Sequence, residues 1–131
     1  MIRIAKEFAF SASHQLTHLA EAQPDHPCAR LHGHNYAVVV ELEGEELNKD
    51  GFVRDYRELD IVKRFIDDAL DHRHLNDVRG GSSEQTTAES LARWLLKVFR
   101  GMGLEECVAV RVSETPKTWA EARIRVSAWA R

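Results

Sequence analysis

Cysteine is scarce in this chain of 131 residues: Cys28 and Cys107 are the only two. Cys28 lies among histidines and Cys107 opens a strand-like run, so both are read as reduced thiols and no disulfide framework supports the fold. Long hydrophobic runs are missing as well. No segment reaches the roughly 18 uninterrupted apolar residues of a membrane span, and the first residues lack the charged-then-apolar order of a signal segment. The expectation is a soluble, cytoplasmic protein with no membrane partner. Lysine and arginine number 18 against 21 aspartates and glutamates, a formal net charge of −3. With no basic tract interleaved with aromatics, general attraction to nucleic acid is excluded, and an anionic small molecule would need a local basic pocket. Repeats, low-complexity tracts and linkers are absent too, so residues 1–131 read as a single domain able to bury a core without disulfide or metal staples.

What is present is histidine in a telling order: His14, then Cys28-Ala29-Arg30-Leu31-His32-Gly33-His34. Successive side chains of a strand point to opposite faces, so His32 and His34 project the same way, with Gly33 leaving room between them. Phe8, Phe10, Ala12 and His14 share one parity, and His32 and His34 share theirs with Tyr36, Val38, Val40 and Leu42. In each run the imidazoles continue the apolar face. Three neutral imidazoles with no fourth protein ligand of similar quality nearby suit a catalytic zinc that keeps one position open, whereas a structural zinc is normally closed by four. A lone histidine on an apolar face is more often a hydrogen-bonded core residue; the paired spacing with an upstream partner is what favours metal. His72-Arg73-His74 is a rival pair, but it follows a helix and adjoins Asp71, so acid–base work fits it better than coordination.

Alternation predicts strands over residues 2–14 and 32–43, with a polar loop at 15–31 and a turn from Gly44 to Gly51. Asp55-Tyr56-Arg57-Glu58 reads as a helix cap with a return carboxylate, followed by Leu59, Val62, Ile66, Ala69 and Leu70 at helical spacing. Paired glycines with Ser82 and Ser83 mark a loop. Thr86-Thr87-Ala88-Glu89 then reads as a second capping box leading into Leu91, Ala92, Leu95, Val98 and Phe99, with Gly101 and Gly103 as the stop. Strands are expected again over 107–113 and 122–130, around the linker Glu114–Trp119. The order ββααββ implies an α+β domain: a four-stranded antiparallel sheet with helices on one face.

Three further groups carry possible chemistry. Glu114 shares a parity with Val108, Val110 and Val112, so its carboxylate emerges where a buried strand face ends. A strand-end glutamate ordinarily swings into solvent; a functional one would accept two hydrogen bonds from a planar amidine-like edge. Asp71-His72 could be a helix-end histidine favoured by the dipole, or, with a metal and a thiol elsewhere, a proton relay. Glu89 is read mainly as the capping partner of Thr86.

Together, Cys28-x-x-x-His32-Gly33-His34 with His14 upstream, Leu70-Asp71-His72 followed by Leu75-Asn76, Thr87-Ala88-Glu89, and Glu114-Thr115-Pro116 resemble the 6-pyruvoyltetrahydropterin synthase superfamily. More narrowly they resemble its bacterial 6-carboxytetrahydropterin synthase branch, which acts in queuosine (7-deazaguanine) biosynthesis. That branch usually places three residues between the cysteine and His-Gly-His, as Ala29–Leu31 do here, where the pyruvoyl-forming enzymes place five. A further branch has glutamate in place of the cysteine. One departure is visible: the usual Pro-Thr-Ala-Glu-Asn reads Thr86-Thr87-Ala88-Glu89-Ser90.

The resemblance implies the tunnelling fold, in which subunit sheets join into a barrel and stack to a homohexamer with sites at subunit junctions. Open sheet edges would favour such association. It implies one zinc per subunit on His14, His32 and His34, and conversion of 7,8-dihydroneopterin triphosphate to 6-carboxy-5,6,7,8-tetrahydropterin, acetaldehyde and triphosphate. Cys28 would be the general base, His72 oriented by Asp71 a proton shuttle, and Glu114 the pterin anchor, a relay member, or both. Thr87 and Glu89 would join Glu114 in contacting substrate, and Arg30 and Lys117 are suspects for the triphosphate. Two alternatives stand beside it: the pyruvoyl-forming reaction, which stops at triphosphate elimination with internal redox, and a non-catalytic zinc- or pterin-binding module.

Overall fold

The computed structural model describes residues 1–79 and 85–125. β1 (Ile2–His14) and β2 (His32–Gly44) form a long antiparallel pair whose register sets Phe8 opposite Val38, Phe10 opposite Tyr36 and His14 opposite His32. Because directly opposite residues share a face, this register stacks the two apolar parities and ends them in histidines. β4 (Cys107–Thr115) pairs with the other side of β2, and β5 (Thr118–Arg123) folds back on β4.

Two helices cover the apolar face. α2 (Asp60–Ala69) buries Val62 and Ile66, and α4 (Ala88–Gly101) buries Leu91, Ala92, Leu95 and Phe99 at helical spacing against Val38, Val40, Leu42, Val110 and Val112. Each large apolar side chain removed from water in this way contributes about 1.5–3 kcal/mol. α4 closes as glycine permits: Gly103 adopts φ 98°, and the Leu104 amide reaches back to the Phe99 carbonyl at 3.3 Å.

The sheet is not the expected four-stranded antiparallel one. Among the described residues it has five strands in the order β3-β1-β2-β4-β5, because β3 (Arg73–His74) adds in parallel to β1 at Ala12 and Ser13. Two residues are too few for alternation to declare a strand. The loop at 15–31 contains α1 (Leu19–Ala22) and a 3-10 turn at Pro27–Ala29, and α3 (Leu75–Val78) follows β3. These single turns are fixed by local hydrogen bonds and lack a helical apolar repeat.

The Glu114–Trp119 linker is a hairpin. β4 runs to Thr115 and β5 resumes at Thr118, leaving Pro116 and Lys117 as a two-residue turn. The last strand therefore starts earlier than expected, and residues 126–130 of that expectation, like the Ser82–Ser83 loop, lie outside the described residues.

Both caps also differ. Asp55 accepts from the Arg57 amide at 2.9 Å, but it caps a 3-10 turn at Tyr56–Leu59, and Glu58 pairs with Arg54 at 3.0 Å instead of returning to the cap. At α4 the cap is Thr87, which accepts from the Ser90 amide at 3.1 Å, so Glu89 is not the box partner of Thr86. Among the described residues no helix is long and apolar enough to cross a membrane.

Candidate active site

β1 ends at His14 beside the start of β2 at His32, and the three imidazoles converge there. Ring centroids are 4.5 Å apart for His14–His32, 5.1 Å for His14–His34 and 4.9 Å for His32–His34. One ligand nitrogen from each ring lies within 4.8 Å of the others, and among the described residues this is the group that could hold a metal ion. Gly33 matters to the close approach of the strands: a Cβ there would stand 3.3 Å from the Ala12 carbonyl oxygen.

Two rings are oriented from behind. His14 Nδ1 is 2.8 Å from the Thr86 carbonyl oxygen and His32 Nδ1 is 2.7 Å from that of Arg30. A carbonyl can only accept, so both Nδ1 atoms donate, and both Nε2 lone pairs point inward. Those two Nε2 atoms are 2.9 Å apart, a repulsive contact unless a positive charge lies between them. His34 Nε2 is buried with no hydrogen-bond partner among the described residues. A tetrahedral zinc with bonds of about 2.0–2.1 Å would hold its nitrogens roughly 3.3 Å apart. The donor set therefore fits a divalent cation.

Electrostatics agree. His14 is 1% exposed, and burial outweighs the upward pull of the Thr86 carbonyl to bring its pKa from 6.5 down to about 4. His34 is lowered as well, chiefly by burial and against the opposing charge of Glu114. Both are neutral at pH 7, as metal ligands must be. For His14 the unfolded chain binds the proton more readily than the folded one, so its contribution is complete above pH 6.5 and is lost as pH falls toward 4. The metal-free protein should lose stability across that window, by up to about 1.4 kcal/mol per pH unit. Thermal melts from pH 7 to 4 check this, and a His14→Gln variant should flatten the slope.

Glu114 reaches the same centre from the end of β4. Its Oε1 is 4.0 Å from His14 Nε2 and its Oε2 3.6 Å from His34 Nε2, yet it makes no hydrogen bond among the described residues. It also lines a groove of about 710 Å³ between α4 and the β4–β5 hairpin, together with Glu89, Arg93 and Trp119. Thr87 spends its acceptor on the α4 cap.

Asp71 and His72 form a dyad on the β3 side. Asp71 Oδ1 accepts from the Ser11 amide at 3.0 Å, Oδ2 stands 3.1 Å from His72 Nδ1, and the His72 amide donates to the Ser11 carbonyl at 2.7 Å. The Ser11 amide first, and His72 after it, hold the Asp71 carboxyl below its ordinary range. His72 has φ 60°, a left-handed conformation that side chains other than glycine's rarely adopt. His72 and His74 line a second groove, of about 670 Å³, with Ser11, Ser13, Gly33 and Asn35, strand positions of the parity opposite to His14 and His32, so within one chain the dyad opens on the other face of the sheet from the triad.

Cys28 is half-buried in the 3-10 turn and outside the mutually close triad. Its carbonyl accepts from the Leu16 amide at 2.9 Å and its amide donates to His26 Nδ1 at 3.1 Å, which ties the turn to the residues just after His14. Both cysteines are free thiols, and burial pushes Cys107 up to about 11. Arg30 and Lys117 are exposed.

Three contributors escaped sequence reasoning. The Thr86 carbonyl orients His14 through a backbone atom that carries no side-chain signature. Asn76, read from the sequence only as part of a motif and given no role, clamps Gln15, accepting from its amide at 2.9 Å and donating to its carbonyl at 2.8 Å. Tyr36 read only as part of an apolar stripe, although its ring lies edge-on to His34 and His14 at centroid distances of 5.5 and 6.1 Å.

Comparison with known proteins bears on this arrangement. The 6-carboxy-5,6,7,8-tetrahydropterin synthase of Synechocystis sp. is 33% identical over 120 residues, covering 86% of this chain and 85% of the relative. The enzyme of the same name from Haemophilus influenzae is 31% identical over 144 residues, covering 92% and 98%. The solved 6-pyruvoyl tetrahydropterin synthase of Caenorhabditis elegans superposes with a TM-score of 0.78 at 24% identity, over 95% of this chain and 96% of that one, a likeness of fold. The family model described as 6-pyruvoyl tetrahydropterin synthase matches residues 3–125. A match that runs unbroken from β1 through β5 embraces every group described above, and this chain belongs to the 6-pyruvoyl tetrahydropterin synthase family.

Proposed function

We propose that this protein is a zinc-dependent lyase that converts 7,8-dihydroneopterin triphosphate to 6-carboxy-5,6,7,8-tetrahydropterin, acetaldehyde and triphosphate, a step of queuosine biosynthesis. The observation that carries the reading is the convergence of His14, His32 and His34, two of them turned inward by backbone carbonyls. An all-imidazole set suits zinc, and three ligands leave a position for substrate. The names of the relatives and the three-residue spacing between Cys28 and His32 favour the carboxy product over the pyruvoyl one.

A cation bound by the triad would polarise the hydroxyls of the substrate side chain and acidify the adjacent C–H. Cys28 removes that proton as general base. His72, held by Asp71, carries protons to and from the side-chain oxygens during elimination and carbon–carbon cleavage. Glu114 grips the amino and imino hydrogens of the pterin ring in charge-assisted bonds, in the groove it lines with Glu89. We further propose a soluble, cytoplasmic homohexamer with sites at subunit junctions: among the described residues the sheet of one chain leaves open edges at β3 and β5, and Trp119 on β5 is 61% exposed.

Incubating purified, zinc-loaded protein with 7,8-dihydroneopterin triphosphate should yield acetaldehyde and the carboxylated pterin, both identifiable by mass. A pyruvoyl pterin without acetaldehyde would assign the shorter reaction. An unchanged substrate would leave a binding module.

A further inference from the structure

A donor without an acceptor and an acceptor without a donor occupy adjoining positions of the sheet. Tyr36 is 1% exposed, and its hydroxyl has no hydrogen-bond partner among the described residues. Buried polar groups are nearly always paired, so an orphan calls for an explanation. Glu114 is the complementary case: its carboxylate faces imidazole nitrogens at 3.6 and 4.0 Å and accepts no hydrogen bond among the described residues.

The register brings the two together. β2 and β4 are antiparallel with Val38 opposite Val112 and Ala37 opposite Ser113, so the next step of the ladder sets Tyr36 opposite Glu114. Residues so placed have Cβ atoms about 4.5–5.5 Å apart, within reach of a phenol and a carboxylate. The Tyr36 ring is wedged, stacked on Phe10 at a centroid distance of 4.9 Å and an interplanar angle of 8°, and edged against His34 and His14. It cannot turn to seek a partner. The Glu114 side chain, at a strand end and 25% exposed, can.

We infer that Tyr36 is a positioning residue for Glu114, donating its phenolic hydrogen to the carboxylate once a bound cation has taken the imidazole nitrogens that the carboxylate now faces. His14 Nε2, whose ring carries its hydrogen on Nδ1, has none to offer Glu114, and His34 Nε2 can offer none once it ligates a cation, whereas a phenol gives a carboxylate a short, charge-assisted bond. The bond would fix the carboxylate where a pterin ring can be gripped. The inference rests on the proposed function for the role of Glu114.

The test uses the zinc-loaded wild type, Tyr36→Phe, Glu114→Ala and the double variant. For each, binding of 6-methylpterin is titrated to millimolar concentration by the intrinsic fluorescence of the pterin, alongside melting temperature and zinc content. Tyr36→Phe should keep its zinc and its melting temperature while binding the pterin about tenfold more weakly. In the Glu114→Ala background the same change should cost nothing further. The inference is overturned if Tyr36→Phe binds as well as wild type, if it loses the same factor in both backgrounds, or if it melts several degrees lower, which would mark the hydroxyl as structural through a buried water. A wild type that binds no pterin would instead overturn the proposed function, and the inference with it.

Discussion

Replacing Cys28 with alanine is expected to lower turnover by about 10²- to 10⁴-fold, the range over which a positioned general base acts, while zinc content stays that of the wild type. Cys28 lies outside the mutually close nitrogens of His14, His32 and His34, so the metal does not depend on its sulfur. Nor does the fold. The turn is held through main-chain atoms, the Cys28 carbonyl taking the Leu16 amide and the Cys28 amide giving to His26, and Gln15 Nε2 binds the Ala29 carbonyl at 2.9 Å. Alanine leaves all three contacts in place. The check is steady-state kinetics on the purified variant, with metal analysis and a melting curve on the same sample. Full activity would remove the thiol from the chemistry, and full activity with zinc retained would point to another base.

His32→Ala should have the opposite profile, losing metal first and activity as a consequence. His32 contributes one of three nitrogens and is less deeply buried than His14, so its removal deletes a ligand with little damage to the core. Loss of a mere outer-shell partner typically weakens metal binding by 10–100-fold, and loss of a direct ligand should exceed about 100-fold. Competition with a chromogenic chelator measures it. Retention of wild-type affinity would mean that the three rings are core histidines. On the proposed reading the two variants separate the halves of the site: Cys28→Ala should keep the cation and lose the base, and His32→Ala should lose the cation and keep the base.

Much of this was legible because strands write their faces into the chain at every second residue. The parity of Phe8, Phe10 and Ala12 carried through to His14, and that of Val38 and Tyr36 back to His34 and His32, so both the sheet and the convergence of three imidazoles could be expected before any coordinates. Glu114 followed from the same rule on β4.

What escaped has a common cause. β3 is two residues long, α1 and α3 are single turns, and Pro116-Lys117 makes a hairpin where a longer linker was expected; none is long enough to display a period. Thr86 and Thr87 could each serve as N-cap, and hydrogen bonding chose Thr87, which puts Ser90 instead of Glu89 at the third helical position and frees the Thr86 carbonyl for His14. Contacts made by main-chain oxygens are silent in a list of side chains. The clamp of Asn76 on Gln15 joins positions 61 apart, a pairing that only the tertiary structure creates.

The backbone at His72 places the chain against its own thermodynamic interest. At φ 60° a side chain with a Cβ is disfavoured by about 1–2 kcal/mol, and the corner is locked there by the hydrogen bond of its amide to Ser11 and by the neighbouring Asp71. Selection for robustness alone would drift this position to glycine or asparagine. An engineer seeking a hardier protein would find that corner an obvious target, and the gain in melting temperature would come at the cost of the imidazole that faces the groove.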